Sequence, residues 1–457
     1  MAYNFRGGNR LQTTLMPPSI TDWLAPEHLA WFVIDAVESM DLTAFYARYR
    51  TNGQGSAAWH PQLMVALLLY AYCHGERSSR KIEALCEESV PYRVITGNEK
   101  PDHCSISRFR TANEAWMKQL FVEILRLCAE AGLVKVGKVN LDGTKMKANA
   151  SLSANRTEKS LAEEIERMLT EAAAQDAQED EAFGKDKRGD ELPEDLRTHK
   201  DRLARLQEAK ERLERERLEA EEAQRQKLEE RKRQEEETGK KARGKPPKSV
   251  EDVRKDKEER KANATAPDTR ILKTRSGYVQ GFNAQAVCTD DQIILAADVT
   301  DQENDQGQYH PMMEQAQENA NAVLEGDDAK IHLGRADAGY CNEADLEKEC
   351  GHEILVATKK DWKRRKEMRD EPPPRGRIPK DLSATQRMER KLRTKRGSEE
   401  YKKRSQTIEP VFGQIKSGRR TDSFYGRELP SAQGEWNLIC GASNLLKLFV
   451  RNRTVRN

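Results

Sequence analysis

Three acids stand where phosphodiester chemistry would want them. Glu409 lies in the run Tyr401-Lys-Lys-Arg404-Ser-Gln-Thr-Ile-Glu409-Pro-Val-Phe-Gly-Gln-Ile-Lys416, an acid set among cations. Asp142 closes the strand-like Val139-Asn-Leu-Asp142-Gly-Thr, and Asp337 closes Gly334-Arg-Ala-Asp337-Ala-Gly-Tyr340. Carboxylate oxygens hold hard divalent cations such as Mg²⁺. Arg and Lys beside them orient phosphates. Two such ions, roughly 3.5–4 Å apart, activate a water or a 3′-hydroxyl and stabilise the leaving oxygen. The pattern therefore points to a three-carboxylate, metal-dependent nuclease or strand-transfer site. Other acids compete: Asp298 and Asp305 for the second place, Glu399, Glu400 and Glu435 for the third. A lone Asp after a strand can also simply close a turn. The small neighbours Gly143, Ala338 and Gly339 favour Asp142 and Asp337, since they would let a phosphate backbone approach.

Pro410 constrains the third position. Proline suits only a helix's first turn; deeper in, it kinks the helix. Either a helix starts at Glu409 or a longer one bends there. A helix starting there puts Glu409, Phe412, Gly413 and Lys416 on one face.

The elements that must position these acids are legible from pattern. Residues 1–133 read as helical, with apolar residues at helical spacing in 29–39, 62–73 and 116–127. Within them, helix starts near Ser78 and His103 flank a turn at Gly97-Asn-Glu-Lys-Pro-Asp, with Arg80, Arg108 and Arg110 in the first turns. That arrangement permits a helix-turn-helix or ordinary helix packing. Residues 134–154 switch to a strand ending at Asp142-Gly143. From Asp201 to Lys240, 25 of 40 residues are charged, with acid-before-base pairs such as Glu208/Arg212 and Glu229/Arg233. Leu206 and Leu213 stand one heptad apart, but Ala220 and Lys227 follow, so the stripe is too poor for a strong coiled coil. Segment 155–268 thus reads as an insertion built on a long, solvated, partly single helix, with a disordered basic tail at Lys240–Lys248. After it, 269–457 alternates strands and helices, with a basic, Pro-containing loop at 359–398. Without the insertion, a mixed α/β layer remains, with Asp142 and Asp337 at strand ends.

Charge is segregated. The chain's net +2 hides a segment, 359–420, with 22 Lys and Arg against 9 Asp and Glu, or +13 by difference. Such a block beside an acid triad fits nucleic acid, although a solvated basic loop has the same composition. Eight scattered cysteines form no C-x-x-C, which argues for reduced thiols and against a structural zinc. The N-terminus has no signal-peptide pattern, and the most apolar stretch, 63–72, is too short to span a bilayer.

Taken together, these words resemble bacterial insertion-sequence transposases of the DDE class, in the branch near the IS4/IS5 and IS1182 groups. The matching residues are His60-Pro61, Ser78-Ser79-Arg80-Lys-Ile82-Glu83, Pro101 through Arg110, Leu141-Asp142-Gly143-Thr144, Ala336-Asp337-Ala-Gly-Tyr340 and Tyr401 through Lys416. The last resembles the family's tyrosine–arginine–glutamate–lysine signature, except that four residues separate Arg404 from Glu409 where the common form has three. The resemblance implies an RNase H-like mixed-sheet core with an all-α N-terminal domain. It puts Asp142 on the first strand, Asp337 after the fourth and Glu409 on a late helix, with the charged insertion between the first and second strands. It implies Asp142, Asp337 and Glu409 as metal ligands for Mg²⁺, with Mn²⁺ as substitute. Arg80, Arg108, Arg110, Tyr401, Arg404 and Lys416 become the DNA-contacting residues. Its partners are double-stranded DNA at terminal inverted repeats and target sites, and a second copy of the chain in the DNA complex. Its place is the bacterial cytoplasm, at the nucleoid. Competing functions are an RNase H-like nuclease without strand transfer and a domesticated, inactive DNA-binding regulator.

Overall fold

The computed structural model describes residues 19–49, 57–183, 194–238, 247–274, 277–359, 374, 376, 378–379 and 381–456. Among the described residues, eight strands form two sheets: β1 (Lys138–Lys147), β2 (Asn155–Thr157), β3 (Lys261–Asn263), β4 (Arg270–Thr274), β5 (Gly277–Thr289), β6 (Ile294–Thr300), β7 (Leu333–Ala336) and β8 (Glu353–Val356). The large sheet runs β4-β5-β1-β7-β8, with β6 also on β5. β5 is antiparallel to β1, β4 and β6, whereas β1, β7 and β8 are mutually parallel. The fold is therefore mixed α/β around a mixed sheet, with helices predominating elsewhere.

Register explains how the first two acids come together. The strand expected to end at Asp142-Gly143 runs on to Lys147, because β5 stays paired with it as far as Gly281, so Asp142 stands in mid-strand. Asp142 pairs with Ala286, and Asn140 pairs with Arg335 in parallel. Continuing that register past the end of β7 carries Asp337 level with Asp142 and onto its face, because parallel neighbours share a face. β7 is only four residues long, so the space beside Asp142 is left open to side chains.

Both faces of the sheet are covered. Ala284, Ala286 and Cys288 pack into one core with the N-terminal helices and the C-terminal helix Leu429–Arg456. Trp436 donates its indole N–H to the Gln285 carbonyl at 2.8 Å, and Asn444 satisfies both backbone groups of Ile294, at 2.9 and 2.8 Å. On the opposite face Val139, Leu141, Val287 and Leu333 meet the helix Tyr309–Val323 through Tyr309, Met312 and Ala316. The helical region and the sheet thus share their apolar core. Among the described residues, no helix is long and apolar enough to cross a membrane.

Two further expectations need correction. The insertion holds more than one long, partly single helix. It holds the helices Glu158–Phe183, Glu194–Thr238 and Val250–Glu258, plus the β2–β3 ribbon. Leu206, Ala209 and Leu213 are buried against Leu161 and Ala262, a core of their own away from the large sheet. The heptad pair Leu206/Leu213, with Ala209 between, suffices because it needs to cover only one turn of a neighbour and a ribbon. Leu218 stays 53% exposed. Most of the basic tail, 239–246, lies outside the described residues. The second correction concerns 359–398, which contains the helix Ala384–Arg393 and the start of Lys395–Lys402. A capping box, Ser383 with Gln386, starts the first of these and was present in the sequence as Ser-x-x-Gln. Residues 360–373 of that loop lie outside the described residues.

Candidate active site

Helix Arg404–Gly413 crosses the face of β1 that carries Asp142. Pro410 sits inside it, so of the two alternatives the interior one holds. Its missing N–H would free the Gln406 carbonyl four residues back. Gln292 fills that vacancy, donating its side-chain amide to Gln406 at 3.3 Å. The helix then opens into a wider π turn, Gln414–Gly418. Glu409 is consequently a mid-helix residue with an exposed side chain.

Arg404 is the hub. Its Nη2 lies 2.7 Å from Asp142 Oδ2 and its Nη1 lies 3.7 Å from Glu409 Oε1. It is buried, and its Nε has no hydrogen-bond partner. Asp142 Oδ1 accepts the Gly143 N–H at 3.0 Å, and Asp337 Oδ1 accepts the Gly339 N–H at 2.7 Å. Burial pushes the Asp142 carboxyl up to about 7; Arg404 opposes this and the charge of Asp337 adds to it. The structure thus brings Asp142 and Glu409 onto one guanidinium and sets Asp337 within electrostatic reach of both Asp142 and Arg404.

The two glycines do something other than admit phosphate. A Cβ on Gly143 would stand 2.5 Å from Gln285 Nε2 and 2.6 Å from Asp305 Oδ1. A Cβ on Gly339 would stand 2.7 Å from Asp305 Oδ2 and 2.9 Å from Asp337 Oδ1. The room is taken by Asp305. This acid entered the sequence reading only as a rival to Asp337. A better signal was in β5: Asn283 and Gln285 are amides two apart in its apolar second half, and buried amides require partners.

The remaining residues divide. Lys416 donates its ammonium to the Lys145 carbonyl at 2.6 Å, tying the helix end to β1, and burial lowers its pKa. Tyr401 is half-buried and packs on the apolar face of the sheet. Arg80 and Arg108 are exposed on the helices Ser79–Glu88 and His103–Ala112. Arg110 instead turns inward, to the Tyr72 hydroxyl at 3.3 Å and the Arg77 carbonyl at 2.9 Å. Of the rival acids, Glu435 is in a buried pair with Arg77 and Glu400 is bound by Arg335 at 2.6 Å. Asp298 accepts its neighbour's N–H, from Val299, and Glu399 is exposed.

Two family models match. One, Transposase domain (DUF772), covers residues 18–112, and the other, Transposase DDE domain, covers 336–449. The chain is a DDE-type transposase of an insertion sequence. No curated protein and no solved structure matches it at a significant level. The DDE match takes in Asp337, Tyr401, Arg404, Glu409 and Lys416, and the other takes in Arg80, Arg108 and Arg110. Asp142 and Asp305 lie outside both. The transposase acts on DNA, and its class cleaves DNA with a divalent metal.

Proposed function

We propose that Asp142, Asp337 and Glu409 hold the transposase's divalent cation, that the cation is Mg²⁺ with Mn²⁺ as substitute, and that the sheet is an RNase H-like core. The observation that carries this is Arg404 standing between Asp142 and Glu409, with Asp337 alongside. The order and directions of the strands support the fold reading. β1 carries the first acid, an antiparallel hairpin lies to one side, and two parallel strands lie to the other, the first of them leading into the second acid.

The donors fit the ion in kind, being carboxylate oxygens. Among the described residues, no group of three or more His, Cys, Asp and Glu side chains is already disposed to hold a metal. Arg404 accounts for that, because a guanidinium occupies two of the acids. Asp142 and Glu409 would hold the cation in place of Arg404, which would leave Arg404 to face a phosphate. The bound cation supplies the activated water or 3′-hydroxyl and neutralises phosphate charge. Asp142 must be ionised to take part, and its raised pKa makes uptake more favourable as pH rises through about 7.

The substrates are then the element's terminal inverted repeats, cleaved first, and target DNA, attacked by the freed 3′-hydroxyl. The active form is a homodimer on paired ends, working in the bacterial cytoplasm at the nucleoid. The likeness of the Tyr401–Lys416 run to the signature of that branch supports an assignment near the IS1182 group. A paired-end substrate with a target plasmid tests this. Joined products with Mg²⁺ are expected; cleavage without joining would leave a nuclease, and neither would leave a DNA-binding regulator.

A further inference from the structure

We propose that Asp305 is a fourth acid of the catalytic site, presenting Oδ2 to the divalent cation beside Asp337. This rests on the reading that Asp142, Asp337 and Glu409 hold that cation.

An Asp a few residues before a helix ordinarily caps it. Asp305 does not. The helix Tyr309–Val323 has Gln308 at its N-cap and no side-chain cap bond. The Asp305 carboxylate turns instead to the sheet. Its Oδ1 accepts the Asn283 amide at 2.8 Å and the Gln285 amide at 2.9 Å. Gln285 is itself held from the other side, because the buried Tyr340 hydroxyl donates to its Oε1. That fixes which end of the Gln285 amide faces Asp305. It also links Asp305 to the same Asp337-Ala-Gly-Tyr340 turn that carries the second acid.

Oδ2 is left over. It has no hydrogen-bond partner among the described residues. It lies 2.7 Å from the point a Gly339 Cβ would occupy, and Asp337 Oδ1 lies 2.9 Å from the same point. The two oxygens are therefore no farther apart than the sum of those distances, within reach of ions spaced roughly 3.5–4 Å apart. Glycine at both 143 and 339 keeps this space clear; any side chain there would strike Asp305. Arg404 is the cation the structure sets beside the acids, and it is bound to Asp142 and Glu409. A carboxylate anchored by one oxygen keeps the other available to a hard divalent cation.

The test uses full-length, DNA-free protein and Mn²⁺ alone. Titration calorimetry compares wild type with Asp305→Asn, Asp142→Asn and Asp337→Asn, and Tm is measured without metal. Asp305→Asn keeps the shape and an acceptor for Asn283. The expected result is roughly 10–100-fold weaker Mn²⁺ binding, with a metal-free Tm equal to or above wild type, and partial recovery of binding in Asp305→Glu. Wild-type Mn²⁺ affinity in Asp305→Asn, with affinity lost in the other two variants, would overturn the role of Asp305 and leave the three-acid site standing. Wild-type affinity in all three would bring down that site as well. Should Asp305→Asn not fold, Fe²⁺-directed backbone cleavage of the wild-type chain decides. Cuts near 305 as well as 142 and 337 are expected; their absence at 305 would overturn the proposal.

Discussion

Two buried arginines, Arg335 and Arg404, each stand between two carboxylates, and they reach β1 at residues two apart. Arg335 holds Asp290 at 2.6 Å and Glu400 at 2.6 Å, and it also bonds Asn140 at 3.1 Å. Arg404 holds Asp142 at 2.7 Å but Glu409 only at 3.7 Å, and the Glu409 side chain is 59% exposed. Both leave Nε without a partner. The first cluster is closed: Glu400 has two further cations, Lys138 and Lys403, Asp290 also accepts the Asn140 amide at 3.1 Å, and nothing about it invites exchange. The second is open on one side and contains an acid that burial pushes toward the neutral form. The same chemistry serves as a strut in one place and as an exchangeable site in the other. What differs is whether every charge is already matched.

Stability should separate the two most strongly. Arg335→Met leaves Asp290 and Glu400 without their central cation and is expected to cost about 3–5 kcal/mol in urea unfolding. Arg404→Met should cost far less, about 1 kcal/mol or nothing, because Asp142 can take up a proton near neutrality and Glu409 faces water. Equal losses would erase the distinction.

The same contrast appears in pH. Burial pushes Glu400 up, but hydrogen bonds from Lys138, Arg335 and Lys403 more than offset it and hold the acid at about 2 against an ordinary 4.5. A depressed pKa gives stability that is complete above the unfolded value and lost as pH falls through the folded one. Glu400→Gln should therefore be less stable than wild type at neutral pH, with the gap closing between about 4.5 and 2. Asp142→Asn should behave oppositely. The raised Asp142 pKa costs the wild type stability as pH climbs from about 3.8 to about 7, so the variant gains on it there.

Part of this candidate site was legible in sequence. The Asp-Ala-Gly turn after β7 marked Asp337, and the cation-rich run marked Glu409. The aliphatic run before Asp142 marked that acid too, but as a strand end, whereas pairing with the long β5 carries the strand on to Lys147. Asp305 was not singled out because its partners, Asn283 and Gln285, are distant in sequence and meet it only through tertiary packing. Pro410 was misleading in a different way. A proline inside a helix is costly on its own terms, and the side chain that repairs it, Gln292, comes from the turn between β5 and β6. The insertion's small core was underestimated because charge dominates its composition, while among the described side chains of the long helix Leu206, Ala209 and Leu213 supply its buried apolar contacts. Leu206→Ala and Leu213→Ala should each cost about 2–3 kcal/mol locally. Hydrogen exchange should show faster opening at 158–262 and unchanged protection in β1 and β5.

A smaller effect distinguishes the basic residues of the N-terminal helices. Exposed Arg80 and Arg108 are free to meet phosphate, and each change to Ala should lower the salt slope of DNA binding by about 0.9. Arg110, held by Tyr72 and Arg77, should act on stability and leave the slope nearly unchanged.

The central claim is that Asp142, Asp337 and Glu409 act through a metal and not as turn or helix supports. It is tested most directly by cleavage of a labelled terminal-repeat duplex with Mg²⁺ or Mn²⁺, beside a gel-shift of the same duplex. Asp142→Asn, Asp337→Asn and Glu409→Gln each keep shape and remove one charge. All three should lose cleavage and strand transfer while DNA binding stays near wild type or tightens slightly. A Glu409→Gln protein that cut at the wild-type rate would contradict it.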